Sequence, residues 1–217
     1  MEDTFKHKGL RKKLIEEIRK KGIIDERVLK AMDSVPRHWF FMSKGIEDYA
    51  YVDKAFPIRS GQTISQPYTV AFQSQLLDVK KGEKILEIGT GSGYQSAILV
   101  ELGAKVYTIE RQKDLYIHTS RLLPMLGFHL QSFLGDGYKG LPNYGPFDKI
   151  IITAAPPEIP KALLSQLKIG GKLIAPIGET DVQVMREVVR VSELDFEITD
   201  YGTFSFVPML KGIGDNK

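Results

Sequence analysis

The 217-residue chain has no cysteine, which excludes disulfides, thiolate nucleophiles and zinc sites built on cysteine. Histidine is scarce as well. His7, His38, His118 and His129 show no HxH or HxxxH spacing, so solvated or structurally bonded imidazoles are expected and no metal centre. No apolar run approaches the roughly 20 residues needed to span a bilayer, and the opening MEDTFKHKGLRKK lacks the apolar core of a signal peptide. A cytoplasmic chain with no membrane partner is the expectation. No Pro/Gly/Ser-rich linker, repeat or low-complexity tract interrupts the sequence, so one domain over 1–217 is expected. Charge is nearly balanced at a formal +3, too little by itself to argue for nucleic acid.

What is present begins with Lys-Ile-Leu-Glu-Ile-Gly-Thr-Gly-Ser-Gly at residues 84–93. Ile85, Leu86 and Ile88 suit a buried strand, and Gly89, Gly91 and Gly93 let the backbone turn sharply and approach a ligand. The spacing GxGxG is one residue tighter than the GxGxxG loop that grips a pyrophosphate, which favours a ligand without phosphates. Residues 94–102 read as a helix and 105–110 as a second strand. That strand ends in Glu110, about 20 residues past the first glycine, where a ribose-hydroxyl acceptor belongs. Strand, glycine loop, helix, strand and acid make one nucleoside-binding βαβ unit.

Around this unit, Leu10, Leu14, Ile15 and Ile18 share one face of an amphipathic helix that Gly22 ends, with lysines and arginines mostly on the other face. A second helix is predicted over 25–32, with Asp25 as N-cap and Pro36 marking its end. Residues 41–67 show no clear periodicity and read as a long irregular segment. Pro67 opens a helix to about residue 77. Further elements are predicted as helix over 114–126, strand over 129–134, strand over 147–153, short helix over 159–167 and strand over 172–177. The segments 182–191 and 196–206 read as extended with no helix between them, hence an antiparallel pair at a sheet edge. The alternation predicts a doubly wound, mostly parallel, seven-stranded α/β sheet with an antiparallel C-terminal edge and added N-terminal helices. Within it, 1–78 would supply helices and an active-site loop, 79–180 the cofactor-binding core and 181–217 the closing strands.

This pattern resembles the class I S-adenosylmethionine-dependent methyltransferases. Glu87-Ile-Gly-Thr-Gly-Ser-Gly93 is similar to their ExGxGxG motif, Glu110 to their ribose-binding acid, and Asp136 in Leu134-Gly-Asp-Gly137 to an adenine-contacting acid. Their cofactor carries an amino acid, a ribose and an adenine but no phosphate, which suits the tight loop. A narrower resemblance, to the protein-L-isoaspartate O-methyltransferases, rests on Ala50-Tyr-Val-Asp53, Gly61-Gln-Thr-Ile-Ser-Gln-Pro67, Thr153-Ala-Ala-Pro156, Gln166-Leu-Lys168 with Gly170-Gly171, and Phe206-Val-Pro208.

The resemblance implies methyl transfer from S-adenosylmethionine to the α-carboxylate of L-isoaspartyl residues in damaged proteins and peptides, leaving S-adenosylhomocysteine. A carboxylate nucleophile is already ionised near neutral pH, so the lack of a His/Asp pair fits. Resemblance makes Ser65 the active-site residue. Read from the residues alone, a serine just before Pro67 is better taken as a helix cap, and the family string reverses that. Thr63, Ile64, Gln66, Glu87, Gly89, Thr90, Gly91, Gly93, Glu110, Arg111, Asp136 and Gly137 are implied as cofactor-binding. Ala55, Ile58, Ser60 and Val207 are implied as a substrate rim. A monomer that needs no nucleic acid is expected. Two other readings stay open, a methyltransferase acting on RNA or DNA and a non-catalytic cofactor-binding module.

Overall fold

The computed structural model describes residues 2–42, 45 and 47–214. Its centre is a seven-stranded sheet of β3 (Lys84–Ile88), β4 (Lys105–Glu110), β5 (Gln131–Leu134), β6 (Phe147–Ile152), β7 (Leu167–Ile177), β8 (Gln183–Arg190) and β9 (Phe196–Phe204), in the order β5-β4-β3-β6-β7-β8-β9. The first five pair parallel, and β8 pairs antiparallel with both β7 and β9. The central strands are rich in isoleucine and buried on both sides, as a covered parallel sheet requires. A two-stranded hairpin of β1 (Phe56–Pro57) and β2 (Thr63–Ile64) stands apart from this sheet.

One face of the sheet is covered by α1 (Phe5–Lys20), α2 (Glu26–Ser34), α3 (Pro67–Leu77), α4 (Tyr94–Glu101) and α5 (Lys113–Met125). Ile85, Val106, Ile151 and Ile174 meet Leu77 and Leu99 on that side, and an outer apolar layer joins Leu14, Ile18, Leu29 and Met32 to Ala97, Ile98, Leu122 and Leu123. The opposite face packs Leu86, Ile88, Ile150, Ile152 and Leu173 against Leu141, Leu163 and Met209, so it is covered mostly by irregular chain and the one-turn α6 (Lys161–Leu164). Among the described residues no helix is long and apolar enough to cross a membrane.

Several boundaries differ from the sequence expectation. The first helix begins at Phe5, because Thr4 accepts from the His7 amide and caps it. Asp25 does cap α2, accepting from the Arg27 amide. The predicted helix over 159–167 shrinks to one turn because β7 starts early, at Leu167, and runs on through Gly170 and Gly171. A Cβ at Gly171 would lie 2.8 Å from the Asp148 carbonyl, at the point where the β6–β7 register shifts. Within the stretch without periodicity, the described residues form short elements, 3-10 turns at Glu47–Tyr51 and Arg59–Gly61 and the β1–β2 hairpin.

Candidate active site

In open α/β sheets ligands sit beyond the carboxyl ends of the strands, where the strand order reverses. Here β3 lies between β4 and β6, and its end runs directly into the glycine loop. A cavity of about 760 Å³, counted out to its mouth, opens at that point. Gly89, Thr90, Gly91 and Ser92 of the loop line it, with Tyr94 and Gln95 of α4, Glu110 and Arg111 after β4, Gly137, Thr153 and the segment Val207 to Leu210. Gln62, Thr63 and Ser65 close it on the remaining side.

The loop is shaped by backbone bonds. Gly89 N donates to Ile109 O at 2.9 Å, Gly93 N to Thr90 O at 2.8 Å, and the Thr153 hydroxyl sits 2.9 and 2.6 Å from the carbonyls of Ile88 and Gly89. Thr90 Oγ1 and Thr108 Oγ1 are 2.7 Å apart, fixing the loop to β4. Gly89 has φ 96°, and a Cβ there would lie 2.6 Å from Thr153 Oγ1. At Gly137 a Cβ would lie 2.5 Å from Ile88 Cγ2. Glu110 is buried at the mouth of β4, its two oxygens accepting from the amides of Gly91 and Gln112, both at 2.8 Å. Burial pushes its carboxyl up, and those amides hold it back. A buried carboxylate facing a cavity with spare lone pairs suits a diol and opposes a phosphate, so the donor set fits a phosphate-free nucleoside. Pro208 and Met209 roof the cavity because the chain there tracks residue 155, with Ala155 N on Val207 O and Met209 N on Ala155 O, both at 2.8 Å.

A second, more open groove of about 1060 Å³ adjoins the first. Ala55, Gln66, Tyr68, Thr69, Phe204 and Phe206 are among its walls, and it shares Thr63, Ser65, Thr153 and Val207 with the cofactor-sized cavity. Ser65 therefore stands at the junction of the two. It does not act as the helix cap. The N-cap of α3 is Gln66, with no side-chain cap bond, and the orphan amide of Tyr68 is satisfied by Asp53 Oδ1 at 2.8 Å. Asp53 also accepts from Gln66 Nε2 at 3.0 Å and Lys21 Nζ at 2.7 Å. The Ser65 carbonyl is held by the wholly buried Arg37, 3.0 Å away, whose guanidinium also donates to Lys54 O at 3.2 Å and to Ala50 O. The rings of Phe41, Phe56 and Tyr94 surround it at 5.2, 6.0 and 5.8 Å. Burial pushes the Arg37 guanidinium down to about 10, still protonated at neutral pH.

The chain belongs to the protein-L-isoaspartate(D-aspartate) O-methyltransferase family. A model of that family matches residues 9–214. The protein-L-isoaspartate O-methyltransferase of Flavobacterium psychrophilum is 58% identical over 212 residues, 97% of this chain and 99% of its own, and that of Christiangramia forsetii is 57% identical over the same shares. A solved structure of a protein-L-isoaspartate O-methyltransferase superposes with a TM-score of 0.83 at 27% identity, covering 91% of this chain and 65% of that longer one. A Plasmodium falciparum structure given the same name, in complex with S-adenosyl-L-homocysteine, superposes with a TM-score of 0.79 at 27% identity and covers 93% of this chain and 98% of that one.

Against this family frame, the structure gathers Thr63, Ser65, Gly89, Thr90, Gly91, Glu110, Arg111, Gly137 and Val207 around the cofactor-sized cavity, and Ala55 at the groove. Other sequence-predicted residues lie elsewhere. Ile64 is buried in the core beneath the hairpin, and Gln66 lines only the second groove. Glu87 points behind the loop, its Oε2 accepting from Ser96 Oγ of α4, while its buried Oε1 finds no partner among the described residues. Burial pushes its carboxyl up to about 7. Gly93 serves as N-cap of α4, and Asp136 turns back to accept from Tyr138 N at 2.9 Å. Ile58 and Ser60 line neither space. Ile58 packs on the helical core and the Ser60 hydroxyl donates to Asp114 at 2.6 Å, because the hairpin leans on α5.

Sequence reasoning missed Arg37, Thr153, Tyr94 and Gln95, and gave Asp53 no task. An arginine flanked by proline and aromatics carries no periodic signal. Two of the histidines converge in space, which their spacing in the sequence does not signal. α1 sets His7 over the turn bearing His38, and Asp3, His7 and His38 bring ligand atoms within 4.8 Å of one another. Arg11 holds both oxygens of Asp3 at 3.0 Å, and His38 Nδ1 lies 2.7 Å from Tyr51 Oη. A cation would have to displace that guanidinium, so the cluster reads as a structural clasp.

Proposed function

We propose that this protein transfers the methyl group of S-adenosylmethionine to the free α-carboxylate of L-isoaspartyl residues in damaged proteins and peptides. The observation that carries the reading is the junction at Ser65, where a cavity fitted to a phosphate-free nucleoside adjoins an open groove that shares Thr63, Ser65, Thr153 and Val207 with it. When bound, the cofactor supplies a methyl group on a sulfonium. Glu110 would hold the ribose hydroxyls, the glycine loop and Gly137 would admit the cofactor closely, and Pro208 and Met209 would cover it. Ser65 has the hydroxyl to donate to one carboxylate oxygen of the substrate, leaving the other free to attack. Thr63, Thr153 and Val207 form the remaining wall between the two spaces.

The carboxylate oxygen bonds to the methyl carbon as the carbon–sulfur bond breaks, giving a methyl ester and S-adenosylhomocysteine. No proton moves, so no general base is needed, and the carboxylate is ionised at neutral pH without help. Placement in line with the methyl supplies most of the acceleration. The ester then loses methanol as the neighbouring backbone nitrogen closes a succinimide, whose hydrolysis returns part of the residue to aspartate. The described residues of one chain build both spaces, which supports a monomer as the working unit. Basic residues at the end of α1 are engaged with carboxylates, Lys21 with Glu17 and Arg19 with Glu26, which supports a solvated helix face over a nucleic-acid surface.

The test is methyl transfer from labelled S-adenosylmethionine to an isoaspartyl peptide and its aspartyl twin. Label on the isoaspartyl peptide alone, later released as methanol, is expected; label on neither, with the cofactor bound, overturns the reading. Ser65→Ala removes one charge-assisted hydrogen bond of about 1.5–3 kcal/mol, so kcat should fall about 10- to 100-fold. The dissociation constant for S-adenosylhomocysteine should stay near the wild-type value. Equal losses in both would remove Ser65 from the substrate.

A further inference from the structure

Gln66 lines the substrate groove beside Ser65, and its orientation is dictated from outside that groove. Its amide nitrogen donates to Asp53 Oδ2 at 3.0 Å. The Asp53 side chain is 2% exposed and is itself fixed by the Tyr68 amide at 2.8 Å and Lys21 Nζ at 2.7 Å. An ionised carboxylate only accepts, so it selects the NH2 end of the Gln66 amide and turns the carbonyl end away. No described residue donates to that carbonyl oxygen. Two consecutive lining residues thus carry complementary groups to which no described residue bonds, a hydroxyl donor on Ser65 and a carbonyl acceptor on Gln66 that faces away from Asp53.

The substrate's covalent structure supplies a matching pair. In an isoaspartyl residue the free carboxylate and the residue's own N–H sit on the same α-carbon, two bonds apart from carboxyl carbon to nitrogen. In normal aspartate a methylene intervenes, and the separation is three bonds. We propose that Gln66, oriented by Asp53, is a specificity-determining residue that accepts the isoaspartyl residue's own N–H while Ser65 donates to its carboxylate. The pair reads an N–Cα–carboxylate unit, and a carboxylate one methylene further out cannot engage both residues in line with the methyl group. Asp53 is the positioning residue. The inference rests on the methyl-transfer reading above.

The experiment pairs a deletion in the protein with one in the substrate. Two isoaspartyl peptides are compared, one native and one in which an ester oxygen replaces the isoaspartyl N–H. For the wild type, KM for the ester peptide should rise about tenfold, the worth of one hydrogen bond. Gln66→Met should raise KM for the native peptide by a similar factor and treat the two peptides alike. Its S-adenosylhomocysteine affinity, measured by calorimetry, should not move. Asp53→Asn keeps a good cap on α3 but lets the Gln66 amide reverse, so KM for the native peptide should rise with cofactor affinity unchanged.

Full discrimination between the peptides in Gln66→Met, or penalties that multiply instead of coinciding, would overturn the inference while leaving the reaction intact. Wild type that binds S-adenosylhomocysteine yet methylates no isoaspartyl peptide would overturn both together.

Discussion

On the cofactor side of the cleft, the loop 89–93 is shaped by amides, carbonyls and the absence of side chains, and its one buried acid at the cavity, Glu110, is satisfied by neighbouring amides. On the Ser65 side, an irregular chain with little regular hydrogen bonding is pinned by buried charge. Arg37 gathers the carbonyls of residues 50, 54 and 65, and Asp53 gathers Tyr68, Gln66 and Lys21. The first arrangement follows from a strand running into a helix and needs few specific side chains. The second has no ladder to set it, so side chains must satisfy the backbone from a distance. On the proposed reading, a cofactor that never changes is held by a rigid backbone cradle, whereas the peptide side depends on a few long-range polar struts.

The largest effect is expected where that dependence is cut. Arg37→Leu leaves three carbonyls without their buried donor, a loss of about 3–5 kcal/mol in unfolding free energy by urea denaturation. Arg37→Lys keeps the charge but not the fork of donors, and should fall between. In both variants the folded protein should keep its affinity for S-adenosylhomocysteine while turnover on isoaspartyl peptide drops. Parallel loss of affinity and turnover would show that the two sides are one mechanical unit.

The same contrast decides what was legible in the sequence. Glu87 to Gly93, Glu110 and the alternating strands were readable because glycine spacing and apolar runs encode backbone geometry locally. The β1–β2 hairpin, whose strands are two residues each, the Arg37 strut and the Asp53 cap were not; the strut and the cap join residues 13 to 28 positions apart through side chains, mostly to main-chain atoms. Ser65 was singled out through the family string alone, and its local context pointed wrongly to a cap that Asp53 supplies from elsewhere. The neighbours of Ile58 and Ser60 were illegible for the same reason: they lie in α5 and the helical core, beyond the reach of local pattern.

Glu87 is the exception on the cofactor side, a fully buried carboxyl with one oxygen unpartnered among the described residues. Burial raises it from 4.5 to about 7. Between those values the folded state binds the proton and the unfolded state does not. Stability from this group is therefore present below about pH 4.5 and lost as pH rises through about 7. The full difference is roughly 3 kcal/mol. Glu87→Gln should remove the slope, melting above the wild type at pH 8 and close to it at pH 5, as read by thermal unfolding across pH. A wild-type curve flat between pH 5 and 8 would mean that Glu87 stays ionised, and with it that the cofactor side also relies on buried charge.

The smallest effects separate backbone conformation from space within the glycine loop itself. Gly89 and Gly91 both have positive φ, 96° and 54°, yet an added Cβ meets Thr153 Oγ1 at 2.6 Å in the first case and nothing within 4 Å in the second. Gly91→Ala should cost the conformational strain alone, about 1 kcal/mol in the ligand-free protein. Gly89→Ala adds a clash with the hydroxyl that staples the end of β3 to β6, for a total of about 1–3 kcal/mol and a weaker hold on S-adenosylhomocysteine. Thr153→Ala in the Gly89→Ala background removes the clashing atom, so it should recover the space but not the strain or the staple. Equal costs for the two glycine variants would mean that the cradle yields to a side chain. The cofactor side would then be no more rigid than the loop that Arg37 holds.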